Sequence, residues 1–327
     1  MKLLEECQRR QEKKLSGIQN EAQILEQHIT SEFSKLCQFL QDKEQQLKQQ
    51  LKEEKEGILG KIEENLRKIE EMKEEVQKKI YGIQSKLEQK DSLHFLTGIK
   101  IIKKRAMEEH KFNEREGNED DSLSLGEYKG PLQYTAWKEM LSHVNPGLSH
   151  LTLDQKKAHP HLILTDNLTS VMYGDVKLQL SDNPERYDSR LCVLGSQGFT
   201  SGRHYWEVKV WNKTDWDVGV TNDSSRKKGK VDMNPEHGYW IVVLRSGNEY
   251  RAQDLTPKDL KLTVQPRKVG VYLDYEGGQV SFYNADNMSH LYTFTDTFTE
   301  TLYPFFSPCC NVGDKNKEPL KVFHMKL

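Results

Sequence analysis

From Leu15 to Leu87 apolar residues recur every three or four positions, with two places skipped near residues 43 and 54: Leu15, Ile18, Ala22, Leu25, Ile29, Phe33, Leu36, Leu40, Leu47, Leu51, Ile58, Ile62, Leu66, Ile69, Met72, Val76, Ile80, Ile83 and Leu87. No proline interrupts them. Side chains at that spacing share one face of a helix. At about 1.5 Å per residue the segment is about 110 Å long, with a narrow apolar stripe and Lys, Glu and Gln elsewhere. A stripe of this kind needs a second helix to keep water from it. The mean step of about 3.6 residues lies between a heptad and an eleven-residue repeat, so the supercoil is expected to be weak or to change along its length. Local departures are expected at Leu25-Ile29-Phe33 and Ile58-Ile62-Leu66. Two coverings are open: another chain, or an intrachain hairpin bending near Gly57 and Gly60. The apolar register continues through those glycines without a proline or polar turn, which favours another chain. The residues expected at that interface are Leu25, Ile29, Phe33, Leu36, Leu40, Leu47, Leu51, Ile58, Ile62, Leu66 and Ile69.

Charge divides the chain in two. Residues 1–130 hold 25 Lys/Arg and 27 Asp/Glu, whereas all ten prolines and all five tryptophans lie after residue 130. Asp91-Ser92 can cap a second helix through Leu93, Phe95, Leu96, Ile99, Ile101 and Ile102, which is expected to fold back. The stretch 114–126 is acidic and aperiodic and reads as a linker, where phosphorylation is conceivable but a solvated loop suffices. The resulting division is 1–105 coiled coil with the start of the fold-back, 106–135 linker, and 136–327 sandwich. No run of eighteen apolar residues occurs, and the first residues turn to charge too early for a secretory signal. With five cysteines at no metal-ligand spacing, the expectation is a reduced protein of the cytoplasm, or of cytoplasm and nucleus. The four glycosylation-like triplets at Asn167, Asn212, Asn222 and Asn287 are read as chance. A formal net charge of -2 argues against nucleic-acid binding and against attraction to anionic membranes.

After residue 131 the period becomes two. In 204–211 Trp206, Val208 and Val210 alternate with Glu207 and Lys209, as a strand with one buried face requires, and 216–220, 238–245, 268–275 and 279–284 read alike. Glu276-Gly277-Gly278 turns the last two into a hairpin. Short strands without intervening helices indicate an antiparallel sandwich or barrel. The tryptophans are read as packing.

The residues Leu153-Asp154-Gln155, Lys157-Ala158-His159-Pro160, 193–208, Leu273-Asp274-Tyr275-Glu276 and Tyr303–Pro308 resemble, in order and spacing, the signatures of a PRY-SPRY domain. With a coiled coil in front, nearly the whole chain resembles the C-terminal part of a tripartite-motif protein, and 128–140 and 309–320 resemble one subgroup of that family. Gln155 stands where the family usually has proline. The resemblance implies a long antiparallel coiled coil followed by an all-β PRY-SPRY sandwich of two antiparallel sheets, with the two sandwiches near the middle of the rod. It implies a homodimer whose loops bind a protein ligand, in innate immune or antiviral regulation. RING and B-box zinc modules, which would make the product a ubiquitin ligase, have no CxxC pair here to build them.

Catalysis finds little support. No GxSxG occurs, and no phosphate-binding glycine pattern. Cys309-Cys310 with His324 would need to meet in space, and His159 with His161 lacks further metal ligands at spacing. No catalytic residue, metal or cofactor is expected. The basic run Arg226–Lys230 reads first as a solvated loop and second as a contact for an anionic partner. Candidate ligand-binding residues are Asp223, Arg226, Val243, Arg245, Tyr250, Cys310 and Asn311, with Arg245→Glu expected to abolish capture without harming the fold. A cytoskeletal assembly role for the rod is the alternative from another class.

Overall fold

The computed structural model describes residues 1–87, 122–181 and 183–324. The second helix expected from Asp91 therefore lies outside the described residues. Two compact units emerge, Met1–Met140 and Leu141–Leu327.

In the first unit a single helix, α1, spans Lys2–Leu87, 86 residues or about 130 Å. It runs straight through Gly57 and Gly60, so the hairpin alternative is not formed there. Its outer faces carry spaced ion pairs, such as Arg67 with Glu64 at 2.8 Å and with Glu71 at 2.7 Å, each worth a few tenths of a kcal/mol. The apolar stripe is not covered evenly. Leu25, Ile29, Phe33, Leu40, Ile62, Leu66 and Ile69 remain 37–66% exposed, whereas Leu36, Leu47, Leu51 and Ile58 are half-buried. Two short helices, α2 (Leu125–Lys129) and α3 (Leu132–Met140), occupy part of the stretch read as linker and join this unit. Ser124 N donates to Glu54 at 2.8 Å and Lys43 meets Glu139 at 2.8 Å, so this strap runs antiparallel to α1 along residues 54 to 43.

The described residues of the second unit form thirteen strands: β1 (Leu162–Leu164), β2 (Ser170–Tyr173), β3 (Val193–Leu194), β4 (Arg203–Lys209), β5 (Trp216–Asn222), β6 (Tyr239–Arg245), β7 (Glu249–Ala252), β8 (Lys258–Asp259), β9 (Lys268–Asp274), β10 (Gln279–Asn284), β11 (Ser289–Thr295), β12 (Leu302–Ser307) and β13 (Leu320–Phe323). They form two antiparallel sheets, ordered β1-β2-β13-β4-β9-β10-β11 and β3-β12-β5-β6-β7-β8. The glycine hairpin is present: Asp274 Oδ1 accepts Gly277 N at 2.8 Å, and Gly278 takes φ +64 where a Cβ would meet Asp296 O at 2.1 Å. Trp206, Val208, Val271, Leu273 and Phe282 from one sheet meet Trp216, Val218, Val220, Trp240, Val242 and Phe306 from the other in the main core.

One expectation needs correction. β4 alternates as read, but in β5 every residue from Trp216 to Thr221 is buried, and in β6 every residue from Tyr239 to Leu244. The reason is a second apolar layer on the outer face of the six-stranded sheet, made of Tyr187, Cys192, Leu194, Val231, Tyr239, Ile241, Val243 and Phe305. Strands covered on both sides read as continuous apolar runs. At Gly219 the backbones come so close that a Cβ would lie 2.2 Å from Trp240 O. Of the five tryptophans, Trp206, Trp216 and Trp240 are buried, whereas Trp137 and Trp211 are exposed.

Candidate ligand-binding loops

The strand register separates the candidate residues. β5 pairs β6 from Trp216 opposite Leu244 to Thr221 opposite Tyr239, and pairs β12 from Asp217 opposite Ser307 to Asn222 opposite Leu302. Asp223 and Arg226 follow Asn222 at one end, while Arg245, Cys310 and Asn311 lie at the other, about 20 Å away at ~3.3 Å per residue. Two candidates are not surface residues at all. Val243 is 1% exposed in the second apolar layer, and Tyr250 is 7% exposed with its ring against Trp216. Both are withdrawn as ligand contacts, because neither side chain reaches solvent enough to touch a partner.

At the Asp223 end the loop between β5 and β6 is tied down by backbone partners. Ser224 donates its N–H and hydroxyl to Glu300 at 3.0 and 2.9 Å, Gly229 N donates to Asp188 at 2.8 Å, and Tyr239 OH donates to Arg226 O at 2.9 Å. Lys227 donates to Asp223 O and to Ser225. Arg226 and Lys230 point outward, which fits the solvated-loop reading of the basic run.

The opposite end is a braced platform. Its loops are 210–215 after β4, 246–248 after β6 and 308–319 after β12. Asn316, 3% exposed, holds two of them together: its Oδ1 accepts Thr214 N at 3.0 Å and Asp215 N at 3.2 Å. Its Nδ2 donates to Asp215 O, Pro308 O and Cys310 O at 3.0, 2.9 and 3.0 Å. The third loop joins through Gly247 N to Thr214 O at 2.8 Å and Ser246 N to Asp215 Oδ1 at 3.2 Å. Lys213 adds bonds to Asn316 O and Glu318 O, and burial lowers its pKa to about 8. Asn311 accepts Asn316 N at 3.0 Å and donates to Asp314 at 3.0 Å, so it shapes the loop. The outward side chains on this end include Cys310, Asn248, Trp211 at 61% and Val312 at 76% exposure, beside the polar Asn212, Asp314, Lys315, Lys317 and Glu318. Asn316→Ala leaves buried peptide groups without partners and is expected to cost about 2 to 4 kcal/mol, read as a shift in the urea midpoint of the chain; a loss under 1 kcal/mol would show the brace to be redundant.

Beneath the platform Arg245 is spoken for. Its Nη1 lies 2.6 Å from Oδ1 of Asp217, whose side chain is 4% exposed. The same nitrogen reaches Trp216 O and Leu244 O at 3.1 and 2.7 Å. Burial pushes the Asp217 carboxyl up, against the pull of Arg245. Arg245 is thus a structural partner, and the expectation that Arg245→Glu spares the fold is corrected: it would set two carboxylates against each other. Burial, followed by Asp217, also raises Cys309 to about 12, so this thiol is not a nucleophile at neutral pH. His324 Nε2 donates to Leu151 O at 3.0 Å and its ring meets His150 edge-on, and the structure gives it no bond to Cys309.

His159 is likewise committed to structure. Its Nδ1 accepts His161 N and its Nε2 faces Asp188 O, both at 3.1 Å, which fixes the neutral ring with the proton on Nε2. Burial depresses its pKa. The unfolded chain therefore takes up a proton first as pH falls below about 6.5, and stability declines toward the folded pKa with a slope of at most ~1.4 kcal/mol per pH unit. His159→Gln is expected to flatten the fall between pH 7.5 and 5.5 in urea titrations; an unchanged pH profile would exclude His159 as its source.

Residues 203–317 match the SPRY domain family and 151–199 the SPRY-associated domain PRY. Those segments contain both sheets' central strands and the platform loops, so the second unit is a PRY-SPRY sandwich, a protein-binding module. The chain is 46% identical over 326 residues to nuclear factor 7, ovary, of Xenopus laevis, covering 99% of this chain and 53% of that protein. It is 46% identical over 300 residues to the E3 ubiquitin-protein ligase TRIM69 of Rattus norvegicus, covering 92% and 60%. A solved TRIM65 PSpry domain is similar over 60% of this chain and 96% of its own, at 22% identity and a TM-score of 0.47. The chain belongs to the PRY-SPRY proteins and is similar over most of its length to these relatives, and it spans about half the length of the curated relatives it matches.

Sequence reasoning missed Trp211, Val312 and Asn316. Trp211 was readable, since the strand alternation that sends Val210 inward sends the next residue outward. Nothing in the sequence marks Asn316 as buried.

Proposed function

We propose that the chain is the protein-capture portion of a tripartite-motif ubiquitin ligase, a homodimer that presents two PRY-SPRY platforms to one target. The observation that carries the reading is the platform itself, two loops fixed by one buried asparagine and a third hydrogen-bonded to them, with Trp211, Val312 and Cys310 facing outward. A rigid, partly apolar surface loses little freedom on binding. In the whole protein, the ligase activity for which the TRIM69 relatives are named would act on what the platform holds, in the cytoplasm and, by family resemblance alone, in innate immune regulation.

The helix supports pairing in antiparallel. Its apolar pattern is close to a palindrome about Gln49: Leu15 mirrors Ile83, Ile18 mirrors Ile80, Ala22 mirrors Val76, Ile29 mirrors Ile69, Leu36 mirrors Ile62, and Leu40 mirrors Ile58. Leu25 and Phe33 fall one residue out of step. The exposed flanks lie on both sides of the strapped centre, so a second copy running the opposite way lays each flank on the other. Two heads then engage a multivalent target with an avidity gain of about 10² to 10⁴.

The test compares proteins captured by the full chain, by Val312→Asp and by Arg226→Glu. A ligand on the platform loses at least tenfold in capture with Val312→Asp and is kept by Arg226→Glu. The reverse pattern would move the site to the other end of the sandwich.

A further inference from the structure

The strap of α2 and α3 is fastened to α1 at two points of different chemistry. At the α3 end the fastening is the Lys43–Glu139 ion pair at 2.8 Å. At the α2 end the Glu54 carboxylate accepts the backbone N–H of Ser124 at 2.8 Å and the hydroxyls of Ser124 and Tyr128. No cation lies within one turn of Glu54 on its face of α1: its helical neighbours three and four residues away are Gln50, Leu51, Gly57 and Ile58. The hydroxyl and N–H of Ser124 hold the Glu54 carboxyl below its ordinary range, so it is fully charged at neutral pH.

Ser124 is exposed. It stands in Ser-Leu-Gly-Glu, with Glu127 three residues on and Glu119, Asp120 and Asp121 before it. An accessible serine with acidic residues on both sides, one of them at the third position after it, is the substrate chemistry of acid-directed protein kinases.

We propose that Ser124 is a phosphorylation site whose modification releases the α2–α3 strap from α1. The serine Oγ attacks the γ-phosphorus of a nucleoside triphosphate held by the kinase, the bond to the departing diphosphate breaks, and the hydroxyl proton passes to the kinase's base. The product bears about −1.5 to −2 charges at pH 7. A hydroxyl that donated to Glu54 is replaced by oxygens that repel it, with Glu127 adding a further negative charge one turn away. A phosphate at the start of α2 is compatible with the helix itself, because the positive end of the helix dipole faces it. The strap is therefore expected to detach without unwinding, which opens the half-buried stripe at Leu47, Leu51 and Ile58.

The experiment uses the full chain, ATP and an acid-directed kinase, with the site assigned by mass spectrometry. Amide hydrogen exchange across 125–140 and the yield of a zero-length carbodiimide link between Lys43 and Glu139 are read before and after. The expected result is phosphate on Ser124, at least tenfold faster exchange and a several-fold lower link yield. Ser124→Ala should show neither change, and phosphorylated Glu54→Gln should show a much smaller one. Exchange that stays the same in the phosphorylated chain overturns the release. An equal acceleration in Glu54→Gln overturns the repulsion, and a folded chain that takes phosphate only elsewhere overturns the site.

Discussion

Replacing Arg245 with alanine will cost the sandwich about 3 to 5 kcal/mol at pH 7. Asp217 sits in β5, buried, with the Arg245 guanidinium 2.6 Å away. Removing that cation strands a carboxylate where solvent cannot reach it. Because burial raises the folded pKa of Asp217 above its unfolded value, the protonated form favours the fold and its contribution is lost as pH rises. The deficit of the variant should accordingly shrink on acidification toward pH 5. Arg245→Lys should restore only part of the loss, since an ammonium is more strongly hydrated than a guanidinium and costs more to bring beside a buried carboxylate. Denaturation followed by the fluorescence of buried Trp206, Trp216 and Trp240 measures it. A change below 1 kcal/mol would mean that Asp217 is already protonated in the native protein.

The second large effect is expected on self-association. Ile29→Glu combined with Ile69→Glu puts four carboxylates into the seam of an antiparallel pair. Each buried isoleucine contributes about 2 to 3 kcal/mol, so dimerisation should weaken by more than ~10³-fold and the variant should sediment as a single copy at micromolar concentration. Orientation has its own readout. With the native Cys7 and Cys37 changed to serine, Ile29→Cys and Ile69→Cys should form disulfide-linked dimers when mixed and not when oxidised alone, since like positions would lie about 60 Å apart. Self-linking of either single variant would establish a parallel pair, and a monomeric parent chain would remove the bivalent reading altogether.

The fold was largely legible because two periods carry it. The three-and-four spacing through Gly57 and Gly60 marked one unbroken helix, and the alternation of Trp206, Val208 and Val210 marked β4. β5 and β6 were found as strands but misread as one-sided. A continuous apolar run such as Tyr239–Leu244 shows that both faces are covered without showing what covers them; Tyr187, Cys192 and Val231 come from loops distant in sequence. The site was legible only in part for the same reason. Position along the chain suggested Asp223 beside Arg245, and antiparallel pairing put them at opposite ends. Cys310 was placed on the outward face, whereas the inward direction of Val243 and Tyr250 depends on sheet packing that a single strand does not record.

Asn316 ties the spacing of two loops to one side-chain amide, and that has a consequence for how such a surface can diversify. Exchanging a tip residue at 211, 248, 310 or 312 leaves the amide's partners where they are. Inserting even one residue between 212 and 215, or between 309 and 315, would carry a carbonyl or N–H out of its reach. New specificities are thus expected to arise in this lineage by swapping side chains on loops of unchanged length, and a longer loop should require a compensating change at 316 itself.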